Sequence, residues 1–140
     1  MSARPRPAPP SGSPPPRRAE MADGTEVDLE ALATEICARY RAEYPDEDER
    51  YGEAGEQWCR HDNQYLVNWA VLDTRAYASI EEQVAWLAKV LEAREFPLDR
   101  LARDLDIAAE VVAERLAGAD AVAAALTGAA TMIRSRATFL

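Results

Sequence analysis

The sequence of 140 residues has little of what catalytic and metal sites are commonly built from. It contains one histidine, His61, and two cysteines, Cys37 and Cys59. One imidazole cannot make a histidine-rich metal site, and the two cysteines lack the paired short spacings of a zinc site. A glycine-rich phosphate loop, a serine nucleophile elbow and a dinucleotide fingerprint are missing as well. We therefore expect no enzyme activity, no metal and no cofactor.

Long apolar runs are also missing. The longest Ala-rich stretch, residues 117–133, is interrupted by Asp120 and lacks large apolar side chains. It falls short of the roughly 20 apolar residues that a membrane span requires. No signal peptide with an apolar middle region precedes the cysteines. We expect a cytoplasmic protein with reduced thiols and no membrane partner.

Basic residues are scarce in the part of the chain that we expect to fold. The whole sequence has 16 Lys and Arg against 25 Asp and Glu, a net charge of −9. Four of the basic and one of the acidic residues lie in the first 20 positions, which leaves 12 against 24 in the rest. Such a body repels phosphate backbones at long range, so nucleic acid is a disfavoured partner.

Proline, serine and arginine dominate residues 1–20. A segment of this composition cannot bury enough surface to offset the entropy cost of ordering. We therefore predict a disordered tail over residues 1–23 and a single domain over residues 24–140. The PAPP and PPP runs of the tail favour polyproline II, which aromatic-lined grooves bind, although a spacer is the simpler interpretation.

Apolar residues after residue 27 recur at helical spacing, with no alternating strand pattern and no internal repeat. The predicted fold is an all-α bundle of four to five helices. Caps and breaks place the helices at Thr25 to Pro45, Trp58 to Leu72 after an acidic connector, Ser79 to Pro97, Leu98 to Leu116 in two pieces, and Asp120 to Ser135.

The two pieces of the fourth helix, Leu98 to Leu105 and Ala108 to Leu116, resemble a helix-turn-helix unit. Asp106 stands where the turn usually has glycine, and the second piece presents Glu110 and Glu114 rather than side chains that read base edges. A DNA-binding regulator is therefore one alternative function.

The second helix carries an aspartate in its predicted apolar stripe. At 100° per residue, Asp62 projects between Trp58 and Trp69. A lone buried carboxylate costs several kcal/mol, so Asp62 either caps a helix that begins there or has a partner such as Arg94. His61 lies beside this face in line with three amide side chains. The candidate ligand-binding or partner-binding residues are Gln57, His61, Asp62, Gln64, Asn68 and Arg94.

The dipeptide His61-Asp62 after Arg60 resembles the phospho-accepting His-Asp of some histidine-kinase dimerisation helices. The resemblance covers only these few residues and implies that His61 accepts a phosphoryl group. Tyr65 stands where those helices carry a polar residue, and no ATP-binding domain follows. A small-ligand or phosphoryl-accepting site at Asp62 and His61 is the second alternative.

Because catalytic parts are missing, the sequence favours a non-catalytic interaction or regulatory module. It would present an acidic helical surface to a protein partner, with the basic tail as a tether. The Ala/Gly-rich last helix would also let a second copy approach closely, so a homodimer through it is compatible with this function.

Overall fold

The computed structural model describes residues 8–140, which form five helices and one small sheet. The elements in chain order are β1 (Arg18–Glu20), β2 (Glu26–Asp28), α1 (Leu29–Glu43), α2 (Asp46–Thr74), α3 (Ile80–Ala93), α4 (Leu98–Arg115) and α5 (Asp120–Ser135). The predicted all-α bundle is thereby confirmed. The first seven residues of the predicted tail lie outside the described residues.

A short hairpin precedes the helices. β1 pairs antiparallel with β2, with Arg18 opposite Asp28 and Glu20 opposite Glu26. Met21 in the connection is 6% exposed, so the hairpin is joined to the core. We predicted no strand, because strands of three residues are too short to give an alternating pattern. The domain boundary predicted at residue 24 therefore falls inside the hairpin.

The caps of α1 and α3 explain where these helices begin. Asp28 Oδ1 accepts a hydrogen bond of 3.0 Å from the Ala31 N–H, so Asp28 caps α1 in place of the predicted Thr25. Ser79 Oγ accepts a bond of 3.3 Å from the Glu82 N–H, which confirms Ser79 as the cap of α3. Both caps satisfy amide groups that helices leave unpaired at their N-termini.

The acidic segment predicted to be a connector is the first part of α2. Four acidic residues, Asp46 to Glu49, occupy its first turn, where they interact favourably with the helix dipole. Gly52 departs from helical geometry, with φ of 64° and ψ of −155°, and kinks the helix. The glycine and the charges indicated a loop, but the chain resumes the helix after a single non-helical residue.

α4 is one continuous helix, so the predicted helix-turn-helix unit is wrong. Its apolar residues form an unbroken buried stripe that packs against α1 and α5. Asp106, the residue predicted to form the turn, lies within the helix and accepts a hydrogen bond of 2.6 Å from Arg134 of α5. Burial along the whole stripe stabilises the uninterrupted helix.

A line of ion pairs joins α1 to α4. Arg115 Nη2 lies 2.6 Å from Glu35, and Arg103 binds both carboxylate oxygens of Glu43, at 2.8 and 2.9 Å. Arg39 reaches Glu114 at 2.5 Å. Of the two acidic side chains that we had assigned to a recognition helix, Glu114 therefore contacts α1, whereas Glu110 lies 3.5 Å from Arg103 of α4 itself.

The Ala-rich face of α5 packs inside the molecule. Ala129 and Ala130 are fully buried, and α5 lies against α2, α3 and α4. The small side chains permit the close approach that we had expected between two copies, but here the neighbours are helices of the same chain. No helix in residues 8–140 has the 18 consecutive residues of sufficient hydropathy to cross a membrane.

Candidate functional site

A row of aromatic rings runs along one side of α2. Trp58, His61, Tyr65 and Trp69 are spaced by three, four and four residues, which places them on one helical face. Successive ring centroids are 4.9, 5.2 and 5.7 Å apart, and each ring is half-buried. We call these four residues the aromatic ladder. Its rings are tilted or edge-on to one another, as aromatic pairs prefer.

Residues 8–16 of the same chain, which we call the proline-rich segment, contact α2 at their two ends, and most of the residues between are exposed. The indole Nε1 of Trp58 donates a hydrogen bond of 2.5 Å to the Ala8 carbonyl. Gln64 Nε2 donates one of 3.1 Å to the Pro16 carbonyl. Farther along α2, Arg75 donates to the Glu20 carbonyl at 2.9 Å. The segment and β1 therefore follow α2 in the same direction.

The composition of the segment explains why α2 supplies the donors. Five of the nine residues are prolines, which have no N–H group and fix φ near −65°. A polyproline-like chain forms no internal hydrogen bonds, so its carbonyl groups need outside donors. Trp58 and Gln64 donate to main-chain oxygens, and these contacts do not depend on the side chain at position 8 or 16.

His61 forms the second rung of the ladder, and Asp62 follows it. Their Nδ1 and Oδ1 atoms are 3.1 Å apart, with 19% and 26% of the side chains exposed. Because α2 runs through this point without a break, Asp62 is not a helix cap. Arg94 lies exposed at the C-terminal end of α3.

The three predicted amide side chains differ in environment. Gln64 is 7% exposed and holds the proline-rich segment, whereas Gln57 and Asn68 are half-buried. The amides and His61 therefore do not form an open polar stripe, since the chain's own N-terminal residues cover one of them.

The core face of α2 is different from the predicted one. Leu66, Val67, Ala70 and Val71 are buried, and Asn63 and Gln64, rather than Asp62, are the polar residues buried with them. We predicted the core face on the side of the two tryptophans because their rings are the largest apolar side chains of the helix. The buried face consists of smaller side chains. The face predicted as core is the half-buried ladder.

A buried polar cluster that we did not predict lies between α1, α2 and α4. Asn63 Nδ2 donates to the Cys59 carbonyl at 2.9 Å and to Asp104 Oδ1 at 3.2 Å. It also lies 3.6 Å from Cys37 Sγ and 3.5 Å from Cys59 Sγ. Burial raises the pKa of Asp104 to about 7. These four side chains, Cys37, Cys59, Asn63 and Asp104, are the buried cluster.

The sequence contains a signal that Asp104 is buried. On an uninterrupted helix, Asp104 falls in the stripe of Leu101, Leu105 and Ala108 at spacings of three, one and four residues. The predicted break near Asp106 hid this register. We therefore predicted the buried aspartate in α2, whereas the structure has it in α4.

No family model, no curated protein and no solved structure matches this chain. The geometry of its own residues therefore carries the functional inference.

Two recesses of the bundle lie apart from the predicted site. A cavity of about 20 Å³ is lined by Tyr40, Glu47, Gly52, Gly55 and Cys59 among others, and an open groove of about 400 Å³ lies between α4 and α5. Neither of these two is lined by His61 or Asp62. The smaller has room for about one water molecule. Residues 8–140 contain no group of three or more His, Cys, Asp or Glu placed to hold a metal ion.

Proposed function

We propose that the protein is a non-catalytic interaction module whose aromatic ladder binds a proline-rich segment of a protein partner. The observation that supports this proposal is the pair of hydrogen bonds by which Trp58 and Gln64 hold the Ala8 and Pro16 carbonyls. The proline-rich segment acts as an internal copy of the ligand.

The chemistry of the ladder suits an extended proline-rich chain. Aromatic rings with a nearby N–H donor are the usual means of binding polyproline II, because the ligand is stiff and loses little entropy. The rings of Trp58, Tyr65 and Trp69 provide apolar area, and the indole and amide groups satisfy carbonyls that proline leaves unpaired. Half-buried rings retain surface for a ligand that replaces the internal one.

The charge of the body favours arginine beside the prolines. In this chain Arg17 and Arg18 follow directly, with Arg18 Nη1 2.7 Å from Glu26 and Arg17 Nε 3.8 Å from Glu30. These exposed pairs add little affinity each. The surrounding acidic surface nonetheless speeds the approach of a basic partner. A ligand with prolines followed by basic residues is therefore the preferred class.

The internal segment competes with any such ligand. A tethered ligand has an effective concentration in the millimolar range. A partner must therefore be present at a higher concentration or bind more tightly than the internal segment. The proposed module is therefore largely closed until a partner displaces residues 8–16. We place this activity in the cytoplasm, where the two free thiols stay reduced.

A labelled peptide tests the proposal. The peptide APPSGSPPPRR, which copies residues 8–18, is titrated against the full chain while fluorescence anisotropy and the Trp58 indole N–H signal are recorded. Replacing Pro14, Pro15 and Pro16 of the chain with glycine should tighten peptide binding about tenfold, because the internal competitor is weaker. In the chain that carries these three glycines, where the internal competitor is weak, Trp58→Phe keeps a ring and removes the donor, and it should weaken peptide binding about three- to tenfold.

Two controls make the outcome decisive. Trp86→Phe changes an exposed tryptophan on α3, 59% exposed, and should leave the affinity unchanged. A peptide with alanine at all five proline positions should bind poorly. The proposal is wrong if neither chain binds the peptide saturably, or if binding is indifferent both to the prolines and to Trp58→Phe.

A further inference from the structure

Two thiols meet inside the bundle. Cys37 on α1 and Cys59 on α2 both lie against the side chain of Asn63, and both are free. The same nitrogen, Asn63 Nδ2, lies 3.6 Å from one sulfur and 3.5 Å from the other. Because α1 packs against α2 and both sulfurs lie against one nitrogen, side-chain rotation is the movement that would bring the two sulfurs to the geometry of a disulfide bond. The aromatic ladder makes no use of either thiol.

We propose that Cys37 and Cys59 form an oxidation site, at which a peroxide converts the two thiols into a disulfide that ties α1 to α2. This proposal is independent of the binding function of the ladder.

The two cysteines differ in access, which sets the order of the steps. Cys59 is half-buried and lines the cavity beside Gly52 and Gly55, whereas Cys37 is 2% exposed. Gly52 lies at the kink of α2 and lines the same cavity, which is the route by which we expect an oxidant to reach Cys59. Cys59 is therefore the thiol that the peroxide meets first, and Cys37 is the thiol that closes the bond.

The atoms and electrons balance over two steps. The Cys59 thiolate attacks one peroxide oxygen, the O–O bond breaks, and the released hydroxide takes a proton to become water, which leaves a sulfenic acid on Cys59. The Cys37 thiolate then attacks the Cys59 sulfur, the S–S bond forms, and the S–O bond breaks to release a second water. The two thiols lose two hydrogen atoms, and the peroxide is reduced to two waters.

The buried cluster provides the groups that these steps need. Asp104, which accepts the Asn63 amide bond at 3.2 Å and whose pKa burial raises to about 7, belongs to the same cluster and can take up a thiol proton when it is ionised. The amide N–H groups of Asn63 face both sulfurs and favour their thiolate forms. The hydrogen bond with Cys37 and burial raise the pKa of the Cys59 thiol. The pair therefore withstands brief exposure and reacts under sustained oxidant.

The full chain treated with hydrogen peroxide tests the site directly. After peroxide is removed, the protein is unfolded and its remaining thiols are alkylated for mass spectrometry. We expect a monomer that has lost two hydrogen atoms, has no alkylated cysteine and regains both thiols with dithiothreitol. The closed loop of about 20 residues should raise Tm by about 10 °C in the oxidised form.

Matched variants separate this site from nonspecific oxidation. Cys37→Ser should stop at the Cys59 sulfenic acid, which dimedone traps, and should form no internal disulfide. Glutathione added to the sample serves as an internal reference for the rate of oxidation. Relative to that rate, chain unfolded in urea should form the internal disulfide several-fold more slowly than the folded chain. The proposal is overturned if both cysteines of the folded wild type are still alkylated after the glutathione is fully oxidised, or if the disulfides join two chains.

Discussion

The Asp104 carboxyl group lies inside the bundle with the Asn63 amide as its hydrogen-bond partner. Cationic groups such as Arg100 are occupied elsewhere, at Asp46 and Glu47, at 3.0 and 2.8 Å. In the described part of the chain, no hydrogen bond or ion pair joins Asp104 to a cationic group. A buried acid of this kind favours its neutral form, because burial penalises the charge.

This burial predicts an unusual dependence of stability on pH. Burial raises the pKa of Asp104 in the folded chain to about 7 from its ordinary value of 3.8, so between these values the folded state binds more protons than the unfolded state. Its contribution to stability is present below pH 4 and is lost as pH rises through 7. Replacing Asp104 with Asn should therefore gain about 2–4 kcal/mol relative to wild type between pH 4 and pH 8.

Urea unfolding at both pH values measures this difference. The control is Asp99→Asn, an exposed change on the same helix, which should keep the wild-type pH dependence. Identical pH dependence in wild type and Asp104→Asn would show that the buried carboxyl is not the cause.

At the scale of the elements, glycines in α2 and α5 have opposite roles. Gly52 adopts φ of 64° and ψ of −155°, a conformation that is essentially restricted to glycine. Gly128 lies in regular helix, and a Cβ atom added there would meet nothing within 4 Å. One glycine is needed for the kink of α2, whereas the other only weakens α5.

Alanine at the two positions should therefore change stability in opposite directions. Gly52→Ala should cost about 1–3 kcal/mol, because a side chain strains the kink. Gly128→Ala should stabilise by about 0.5–1 kcal/mol, since alanine has the higher helix propensity. Circular dichroism during urea unfolding gives both values. Equal effects of the two changes would contradict the assignment of Gly52 as the kink residue.

At the scale of the whole molecule, α5 is an internal packing element. Ala129 is fully buried, whereas Ala124 on the same helix is exposed. Ala129→Glu would put an unpaired carboxylate into the core, where it costs several kcal/mol. We expect Ala129→Glu to lose helical circular dichroism and Ala124→Glu to keep it. A folded Ala129→Glu monomer that replaces a wild-type dimer in light scattering would instead favour the homodimer face that the sequence suggested.

The acidic charge is distributed unevenly over the surface of the molecule, because part of it is paired between α1 and α4. Glu35, Arg39 and Glu43 are neutralised within the chain by partners on α4. The excess acidic charge lies on the rest of the surface, including the part that meets Arg17 and Arg18. Long-range attraction for a basic, proline-rich ligand follows from this distribution.

The sequence by itself determined the helical class, the start of α3 at Ser79 and the bounds of α5. Apolar residues repeat every three or four positions there, and the cap and break residues are local signals that act within one turn. The same local signals missed the hairpin, misplaced the start of α2 and put a break in the middle of α4. Contacts with other elements override local preference there, since Val27 is buried, Asp46 and Glu47 pair with Arg100, and the apolar stripe of α4 is buried.

Only the tertiary structure decided which polar residues are inside. Asp62 and Asp104 both fall in a stripe of apolar residues at helical spacing, yet Asp62 stays 26% exposed on α2, whereas α4 buries Asp104 in the cluster with Asn63 and the two thiols. Likewise, the binding of residues 8–16 to Trp58 and Gln64 joins positions about 50 residues apart. No periodicity reports such contacts, because they depend on how the helices pack and not on the order of residues along any one of them.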